Sequence, residues 1–405
     1  MRLFLSIFSI LLVYAVTIAQ DSIKITYYNL LDFPAAQQDR IDTLKKVLDY
    51  VKPDIFVVNE LTSFNGAALI KNNALNTNGV NRFSSAVFYD GPDTDNMLFY
   101  DHDKFILYSQ QQIVTTLRDI SEYVLYYNET DLATTNDTIF LYLYSLHLKA
   151  GSETSNVYWR EQDAVILKNF LINNNRNSRL IVGGDFNFYN HTESGCQEIL
   201  YGQGLQLKDP INRMGNWHTN AGYKNYHTQS TRAGNVGYAG GAHGGMDDRF
   251  DFIFVSEDIL SGNNGVMYVE NTYVAEGQDG NHYNQSINTG TNTAVSADIA
   301  NALYYMSDHL PVSMTITLGG TVGYNYLNGE NIKMIYQAQN KVIELENLSS
   351  HGNLSIFDMS GSCLKQFKTK GLNSCTVDLS NLDSGMYIAH LVLENNSISY
   401  KFVTH

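Results

Sequence analysis

The feature that most constrains this chain is a short apolar run that stops abruptly on two glycines and two polar residues. Residues 180–182 are apolar and predict a buried strand, and Gly183 and Gly184 end it where the backbone must bend or approach something closely. Asp185 and Asn187 lie two residues apart, so in an extended segment both side chains leave the same face. They would offer a carboxylate and an amide to a cation, a phosphoryl group or both. The alternative is an ordinary Asn/Asp turn after a core strand.

Five further apolar segments carry polar residues at or beside their ends. These segments predict strands at residues 23–28, 55–58, 138–146, 249–256 and 312–317. The polar residues that accompany them are Asn29, Glu60, His147, Asp251, Asp308 and His309. Each one alone is more often a turn residue or a solvated strand end than a ligand. They become informative together, because the strand ends of an α/β sheet sandwich can converge on one rim.

The segments between these strands predict helices and loops. Apolar residues recur at helical spacing in residues 40–51 and 158–173, and residues 84–89 with 97–100 predict a hairpin. Two long polar stretches, 216–248 and 277–301, predict loops of a length that is usually functional or mobile inside a compact domain. Arg232 lies in the first loop among hydroxyl residues and suits contact with a phosphate or a polar substrate. The alternative for Arg232 is a solvated loop arginine.

The charge of the chain limits its partners. Among 405 residues, 26 are Lys or Arg and 41 are Asp or Glu, which gives a net charge of −15. Such a surface repels polyanions at long range, so a protein that merely coats nucleic acid is disfavoured. An enzyme that meets phosphate through a bound cation is not excluded, because the metal reverses the local sign of the charge.

The polar residue types indicate metal-assisted hydrolysis of a phosphate ester. Glu60, Asn29 and Asp308 supply hard oxygen ligands for Mg²⁺ or a similar ion, which neutralises phosphoryl charge. A histidine polarised by a buried carboxylate can activate water, and a second donor can protonate the leaving oxygen.

Six motifs in chain order carry a resemblance to a known family. They are Tyr-Asn-Leu-Leu at Asn29, Val-Asn-Glu-Leu at Glu60, Leu-His-Leu-Lys-Ala-Gly at His147, Gly-Gly-Asp-Phe-Asn at Asp185, Arg-Phe-Asp-Phe-Ile-Phe-Val-Ser at Asp251 and Ser-Asp-His-Leu-Pro-Val at His309. With them, residues 21–318 resemble the endonuclease/exonuclease/phosphatase superfamily, in the group of pancreatic-type deoxyribonuclease, exonuclease III-type endonucleases and bacterial sphingomyelinases. The resemblance implies an α/β fold, a deoxyribonuclease I-like four-layer αββα sandwich.

The same resemblance implies a role for each matching residue. Glu60 is expected to be the main metal ligand, with Asn29 beside it and Asp308 near the metal. Some members carry a further acidic residue two positions after the first asparagine. Here that position is Leu31, and Asp32 is one position off.

The remaining matches are expected to act on water and phosphate. Asp185 and Asn187 would orient water and bind the phosphate, and His147 would be a general acid or a phosphate binder. His309, oriented by Asp251, would be the general base or a phosphate contact. Whether Asp185 or His309 takes the proton from water stays open.

The two ends of the chain predict export. Residues 1–20 combine one positive charge, a short apolar core and a small residue near the end, which is typical of a secretory signal peptide. Residues 319–332 predict a linker, and the dense short strands of residues 333–405 predict a small C-terminal β-sandwich. That tail resembles the type IX secretion C-terminal sorting domain of Gram-negative bacteria through residues 354–361, 377–382, 385–387 and 401–403. The resemblance implies the type IX secretion machinery as a partner, and a secreted or cell-surface protein.

Two of the three cysteines stand symmetrically in this tail. Cys363 and Cys375 flank a predicted hairpin turn that contains Gly371, which would allow one cross-strand disulfide. Two inert thiols are the alternative.

We therefore expect a secreted, monomeric, Mg²⁺-dependent phosphoesterase, with Mn²⁺ or Ca²⁺ as alternative ions and no stable membrane insertion. An endonuclease or phosphodiesterase that acts on nucleic acid is the first interpretation. A sphingomyelinase-like enzyme or a phosphomonoester phosphatase is the second. A catalytically inactive surface binding protein is the third, and the presence of all six motifs together argues against it.

Overall fold

The structure is a computed structural model that describes residues 21–35, 39–128, 139–236, 240–318, 333–337, 340–346, 348, 351–358, 361–369, 374–393 and 397–404. The predicted signal peptide (1–20) and linker (319–332) lie outside the described residues. None of the helices in the described residues combines the length and the apolar character that a membrane span requires.

Two large sheets form the first part of the chain. Their strands are β1 (Asp21–Phe33), β2 (Ile55–Leu61), β3 (Phe83–Ser85), β4 (Asp95–Asp101), β5 (Phe105–Ile113), β6 (Ile120–Tyr127), β7 (Phe140–His147), β8 (Leu180–Asp185), β9 (Leu207–Lys208), β10 (Asp251–Ser256), β11 (Val266–Tyr268), β12 (Val274–Ala275) and β13 (Val312–Leu318). One sheet has the order β11-β13-β1-β2-β4-β3, with β12 also paired to β13, and the other has the order β5-β6-β7-β8-β10-β9.

Helices accompany both sheets. They are α1 (Arg40–Val51), α2 (Phe64–Leu69), which continues as a π-helical segment (Ile70–Leu75), α3 (Thr154–Asn173), α4 (Ser194–Tyr201), α5 (Glu257–Ser261) and α6 (Ala297–Met306). Buried residues of α1 and α6 belong to the same core as the first sheet, and those of α3 and α4 pack with the second sheet. The arrangement is the predicted four-layer αββα sandwich.

The side-chain alternation of β8 explains why its apolar run is continuous. Leu180 and Val182 pack in the core that α3 and α4 cover, whereas Ile181 belongs to the core between the two sheets. Neighbouring residues of a strand point to opposite faces. A strand that is buried on both faces is therefore apolar at every position.

Strand direction brings the polar ends together. Strands β1 and β2 are parallel neighbours, and so are β7 and β8. Strand β10 is antiparallel to β8, and its first residue, Asp251, lies opposite Asp185. The carboxyl ends of four central strands and the start of β10 thus meet at one rim of the sandwich.

Gly184 is required at the end of β8. Its φ is +133°, and a Cβ atom built on it would lie 2.0 Å from the backbone oxygen of Leu146. We expect Gly184→Ala to lower the free energy of unfolding by about 3 kcal/mol or more, since both the backbone conformation and the space favour glycine. Urea unfolding of this variant and of Gly234→Ala, where a Cβ meets nothing within 4 Å, checks the prediction. Equal stability of the two variants would contradict it.

Two sequence predictions need correction in this region. Strand β3 pairs with β4 as expected but ends at Ser85 rather than at Tyr89, because the Gln110 side chain takes up the backbone N–H and carbonyl of Val87. The second long loop is shorter than predicted, since α6 begins at Ala297 with the Ser296 hydroxyl capping its first turn. Strands β5 and β6 were not predicted.

The described strands of the tail form two small sheets around one core. They are β14 (Lys333–Gln337), β15 (Val342–Glu346), β16 (Gly352–Asp358), β17 (Cys363–Thr369), β18 (Ser374–Asp378), β19 (Gly385–Leu393) and β20 (Ser397–Thr404). Their orders are β14-β15-β18 and β17-β16-β19-β20, and buried residues of both sheets share a core. This is the predicted C-terminal β-sandwich.

The disulfide alternative is wrong for the two cysteines of the tail. Cys363 and Cys375 are free thiols. Strand β17 lies in one sheet and β18 in the other, so the two strands do not form the hairpin that a cross-strand bridge needs. The turn residue Gly371 lies outside the described residues.

Candidate active site

The predicted polar residues converge on Asp185, the last residue of β8. In the ladder its neighbours are His147 on β7 and Asp251 on β10. Its Oδ2 atom lies 3.6 Å from Nε2 of His147 and 3.6 Å from Nε2 of His309. The Asn29 amide donates to the same oxygen at 3.1 Å. Asp185 therefore stands between two histidines at the centre of the rim.

The Asp185 carboxyl is almost fully buried. Burial raises its pKa to about 7, with the carboxylates of Asp251 and Glu60 adding to the rise and His309 opposing it. A carboxyl with this pKa can accept a proton near neutral pH.

His309 is held by a buried carboxylate. Its Nδ1 lies 2.8 Å from Oδ2 of Asp251, which is the geometry of a histidine oriented by an acid. Burial by itself would lower the pKa of His309, but the charges of Asp251, Asp185 and Asp308 outweigh it and raise the pKa well above its ordinary value. The Asp185–His309 pair therefore keeps a proton near neutral pH.

His147 differs from His309 in its surroundings. Its Nε2 lies 3.6 Å from a carboxylate oxygen of Glu60 and from one of Asp185, while Nδ1 is buried without a hydrogen-bond partner among the described residues. Burial lowers the pKa of His147 well below its ordinary value, and the charges of Arg118 and His309 add to this. The ring is neutral at pH 7.

Glu60 and Asn29 stand together on the first sheet. The Asn29 amide nitrogen donates to Oε1 of Glu60 at 2.8 Å, and the amide oxygen accepts from the backbone N–H of Leu31. The other carboxylate oxygen of Glu60 accepts from the backbone N–H of Asp32 at 3.0 Å. Burial and the nearby Asp308 raise the pKa of Glu60, while the Asn29 hydrogen bond opposes the rise. Asn29 thus ties Glu60 to Asp185 through its nitrogen.

Asp308 lies at the side of this group. Its Oδ2 accepts from the backbone N–H of Ala242 at 2.6 Å and from the Gln229 amide at 3.3 Å. Its Oδ1 is buried without a partner in the described part of the chain. Asp308 is not a member of either cluster of ligand-forming side chains described below.

Asn187 does not leave the strand as the extended geometry predicts. Strand β8 ends at Asp185, and Asn187 has a φ of +52°. Its backbone N–H donates to Oδ1 of Asp185, and its amide donates to the carbonyl of Leu148. The segment is thus an Asx turn in which the backbone N–H of Asn187 stabilises the Asp185 carboxylate. Contrary to the sequence prediction, the side chains of Asp185 and Asn187 do not lie on one face of an extended segment.

The structure corrects the position of Arg232. The residue is 1% exposed, and its guanidinium donates to the backbone carbonyls of Tyr304, Gly240 and Tyr305. It is neither a solvated arginine nor a group facing a substrate, because its donors are taken up by the loop and by the end of α6. Arg232 therefore holds the first long loop against the domain.

Two residues beside the site were missed by sequence reasoning. Gln229, in the first long loop, places its amide nitrogen 2.6 Å from Nε2 of His309. Arg118 lies in the turn between β5 and β6, pairs with Asp93 at 2.8 Å and reaches the Leu148 carbonyl at 3.4 Å. Neither residue follows an apolar strand that would have drawn attention to it.

The donor atoms fit a hard divalent cation. The described residues contain two clusters whose ligand atoms all lie within 4.8 Å of one another, namely Glu60, His147 and Asp185, and Asp185, Asp251 and His309. The first offers two carboxylates and a neutral imidazole. Burial beside other acids raises the pKa of both carboxylates. A bound cation would reverse this rise, because it favours the ionised form of each group. Oxygen-rich sets of this kind suit Mg²⁺, Mn²⁺ or Ca²⁺.

An αββα sandwich with a carboxylate–histidine rim defines the class of protein. Residues 26–309 match the Endonuclease/Exonuclease/phosphatase family, and the chain belongs to that family. Its members are hydrolases that act on phosphodiester or phosphate bonds. Residues 330–405 match the Secretion system C-terminal sorting domain, which is the type IX tail expected from the sequence.

Solved structures of similar fold include proteins of several organisms. One is D. rerio TDP2 in complex with a single-strand DNA product, at 15% identity over 73% of this chain and 98% of that chain, with a TM-score of 0.47. Another is an endonuclease/exonuclease/phosphatase from Beutenbergia cavernae, at 14% identity over 95% and 100%, with a TM-score of 0.46. The human Nocturnin catalytic domain with bound sulfate matches at 15% identity over 74% and 98%, with a TM-score of 0.44. No curated protein matches the chain.

Proposed function

We propose that this protein is an exported phosphoesterase that hydrolyses phosphodiester bonds of extracellular nucleic acid with a bound divalent cation, Mg²⁺ in the first place. The observation that carries the proposal is the position of Asp185, which belongs to both ligand clusters and lies 3.6 Å from two histidines. One carboxylate thus links the side of the rim that suits a cation to the side that suits proton transfer.

Glu60 and Asp185 are the proposed cation ligands, with Asn29 beside them and Asp308 contributing charge nearby. When bound, the cation would neutralise the charge of the phosphoryl group. Asn29 keeps the two carboxylates at a fixed separation by donating to both. Asp308 keeps one buried oxygen without a partner in the described residues, which is available to a further ligand.

Proton transfer is assigned to the other side of the rim. Asp251 fixes His309 Nδ1, so that Nε2 points toward Asp185. We propose that water gives its proton to the Asp185–His309 pair, and that His309 also contacts a phosphate oxygen. Asn187 supports Asp185 through its backbone N–H. His147 is neutral and faces both Glu60 and Asp185, so we propose that it contacts a phosphate oxygen, and that the Asp185–His309 pair returns its proton to the leaving oxygen.

A smaller phosphoester is the second candidate substrate. The net charge of −15 repels a long polyanion, which favours a phospholipid head group or a phosphomonoester over a duplex. Export through residues 1–20 as a signal peptide, a linker at 319–332 and a monomeric state are part of the proposal.

Activity assays on the purified protein test this function. Plasmid DNA, RNA, sphingomyelin and p-nitrophenyl phosphate esters are incubated with Mg²⁺ and with EDTA. We expect cleavage of a phosphodiester that EDTA abolishes. If none of these esters is cleaved in a metal-dependent reaction, the enzyme proposal is refuted and the interpretation as a binding protein remains.

Removal of the Glu60 charge tests the cation site directly. We expect Glu60→Gln to weaken Mg²⁺ or Mn²⁺ binding by about 100-fold, because the amide keeps the shape but not the charge of the proposed main ligand. Titration calorimetry measures the affinity. Glu122→Gln is the matched control, since Glu122 is also buried but is bound by Tyr144 and Arg176 outside the site. Unchanged metal affinity in Glu60→Gln would refute the ligand assignment.

A further inference from the structure

The main proposed cation ligand, Glu60, lies in a β-bulge. The pairing of β2 with β4 shifts register between Val58 and Leu61, so Asn59 and Glu60 stand opposite the single residue Asn96. Glu60 also has a φ of +57°, in the left-handed region that a residue with a Cβ atom rarely adopts. Such a conformation persists where the surrounding structure holds it, and a bulge changes the direction in which a side chain leaves the strand. The direction of the Glu60 side chain therefore depends on the contacts that fix this bulge.

Two buried asparagine side chains fix the bulge. The Asn59 amide nitrogen donates to Oδ1 of Asn96 at 2.6 Å and to Oγ of Ser145 at 3.0 Å. The Asn96 amide nitrogen donates in turn to the backbone carbonyls of Ser145 at 3.1 Å and of Asp119 at 2.9 Å. Because a carbonyl oxygen can only accept, the nitrogen of Asn96 must face these two groups and its oxygen must face Asn59. Each amide thus has a single favourable orientation.

The same hydrogen bonds join the two sheets of the sandwich. Asn59 and Asn96 belong to β2 and β4 of the first sheet, whereas Ser145 belongs to β7 of the second sheet. Asn59 and Ser145 are both 0% exposed. Leu143, which shares the face of β7 with Ser145, belongs to the core between the sheets. The bond between Asn59 and Ser145 therefore crosses the centre of the sandwich.

The first ligand cluster also spans both sheets. Glu60 comes from the first sheet, and His147 and Asp185 come from the second. Asn59 directly precedes Glu60. Its partner Ser145 lies two residues before His147, on the same face of β7. The hydrogen bond between Asn59 and Ser145 thus ties together two of the backbone segments that carry ligands.

Stability alone does not account for an amide at position 59. The other polar atom of Asn59, Oδ1, is buried without a hydrogen-bond partner among the described residues. It lies against Gly184, where a Cβ atom would be 3.0 Å from it. An unpaired buried carbonyl oxygen costs free energy, and an apolar side chain would avoid this cost. The amide contributes instead a directed link from the bulge to the opposite sheet.

We propose that Asn59 is a positioning residue for the cation site. It holds the bulge through Asn96 and Ser145, and the bulge aims the Glu60 carboxylate at Asp185 on the opposite sheet. This inference rests on the proposed function and adds to it a residue that contacts neither the cation nor the substrate. Because Asn59 acts through the backbone of Glu60, its effect is measurable on the ligand itself as well as on the bound cation.

Cation affinity is the first measurement. Asn59→Ala removes both hydrogen bonds of the amide, so we expect it to weaken Mn²⁺ binding by about tenfold in titration calorimetry on the full-length protein. Tyr27→Phe is the matched control, because the buried Tyr27 hydroxyl also links the two sheets by donating to the carbonyl of Tyr144 at 3.1 Å. Tyr27 lies on β1, outside the bulge of β2, and this variant should bind Mn²⁺ as the wild type does. An equal loss of affinity in both variants would show a general loosening of the sandwich and would overturn the proposal.

A second measurement needs neither a cation nor turnover. Oε2 of Glu60 accepts from the backbone N–H of Asp32 at 3.0 Å, so hydrogen–deuterium exchange at this N–H reports where the carboxylate lies. In EDTA, NMR should show that Asn59→Ala speeds this exchange by about tenfold and that Tyr27→Phe leaves it unchanged. If no phosphate ester is cleaved but the exchange responds in this way, the proposed function fails and the positioning role stands. Exchange at the wild-type rate in Asn59→Ala would overturn the proposal.

A milder variant replaces Asn59→Ala should that protein fail to fold by circular dichroism. Ser145→Ala removes the acceptor of the Asn59 amide on the second sheet and leaves its bond to Asn96 in place. We expect Ser145→Ala to speed exchange at the Asp32 N–H by about threefold. An unchanged exchange rate in this variant would contradict the positioning role.

Discussion

Asp185→Asn should lower kcat/KM on any cleaved phosphodiester by about 10³-fold or more. The substitution keeps the shape of the side chain but removes a negative charge that faces two histidines. The same carboxylate accepts a hydrogen bond from the Asn29 amide, which also donates to Glu60. It therefore removes both a proposed cation ligand and a partner in proton transfer. Steady-state kinetics with Mg²⁺ measures the loss. Asp101→Asn, a buried carboxylate at the far end of β4, is the control and should retain activity.

The same variant should become more stable than the wild type at high pH when metal is absent. The folded pKa of Asp185 is about 7, whereas that of an unfolded aspartate is about 3.9. Between these values the folded protein binds more protons than the unfolded chain, so wild-type stability falls as pH rises from about 4 to 7. Asp185→Asn lacks this titration. Urea unfolding in EDTA measures the free energy of unfolding of both proteins, and the value for the variant should rise relative to that of the wild type between about pH 4 and pH 7. A difference in the free energy of unfolding that does not change with pH would refute the assignment of Asp185 as a buried acid.

The second large effect is expected for Asp251→Asn. The Asp251 carboxylate accepts from His309 Nδ1 at 2.8 Å and is an attractive charge that keeps the ring protonated. The introduced amide can donate to Nδ1 of His309 and so stabilise the tautomer that carries its proton on Nε2, and we therefore expect kcat to fall by about 10³-fold. The amide also carries no charge, so the pKa of His309 should decrease. Saturation kinetics and an NMR titration of the His309 ring measure the two effects.

A second aspartate–histidine pair provides the control for Asp251→Asn. Asp248 contacts Nδ1 of His218 at 2.7 Å, outside the candidate site. Asp248→Asn should change kcat less than about threefold. An unchanged pKa of His309 in Asp251→Asn would contradict the orienting role even if activity were lost.

Much of the site could be predicted because its residues lie at or near the ends of buried strands. An apolar run whose alternate residues face two cores, as in β8, is visible in the sequence, and so is the polar residue that follows it. Asn29, Glu60, His147 and Asp185 were found in this way. Gln229 and Arg118 were not, because they lie in irregular segments where no periodicity marks a position.

Arg232 and Asn187 show where local reasoning went wrong. A loop arginine among hydroxyl residues resembles a phosphate contact, yet backbone carbonyls from Tyr304 and Tyr305 on α6 occupy its guanidinium. These carbonyls lie more than 70 residues away along the chain. Asn187 was expected in an extended segment, but the hydrogen bond from its own N–H to Asp185 turns the backbone there.

The strand ends and the residue types available for chemistry are visible in the sequence, since periodicity and side-chain chemistry are local properties, and the four layers follow from the family resemblance that the six motifs carry. The folded chain was needed to show that one oxygen of Asp185 lies 3.6 Å from both His147 and His309, and that Cys363 and Cys375 belong to different sheets. Strand register and direction set these distances. They follow from packing between distant segments, which no short stretch of sequence encodes.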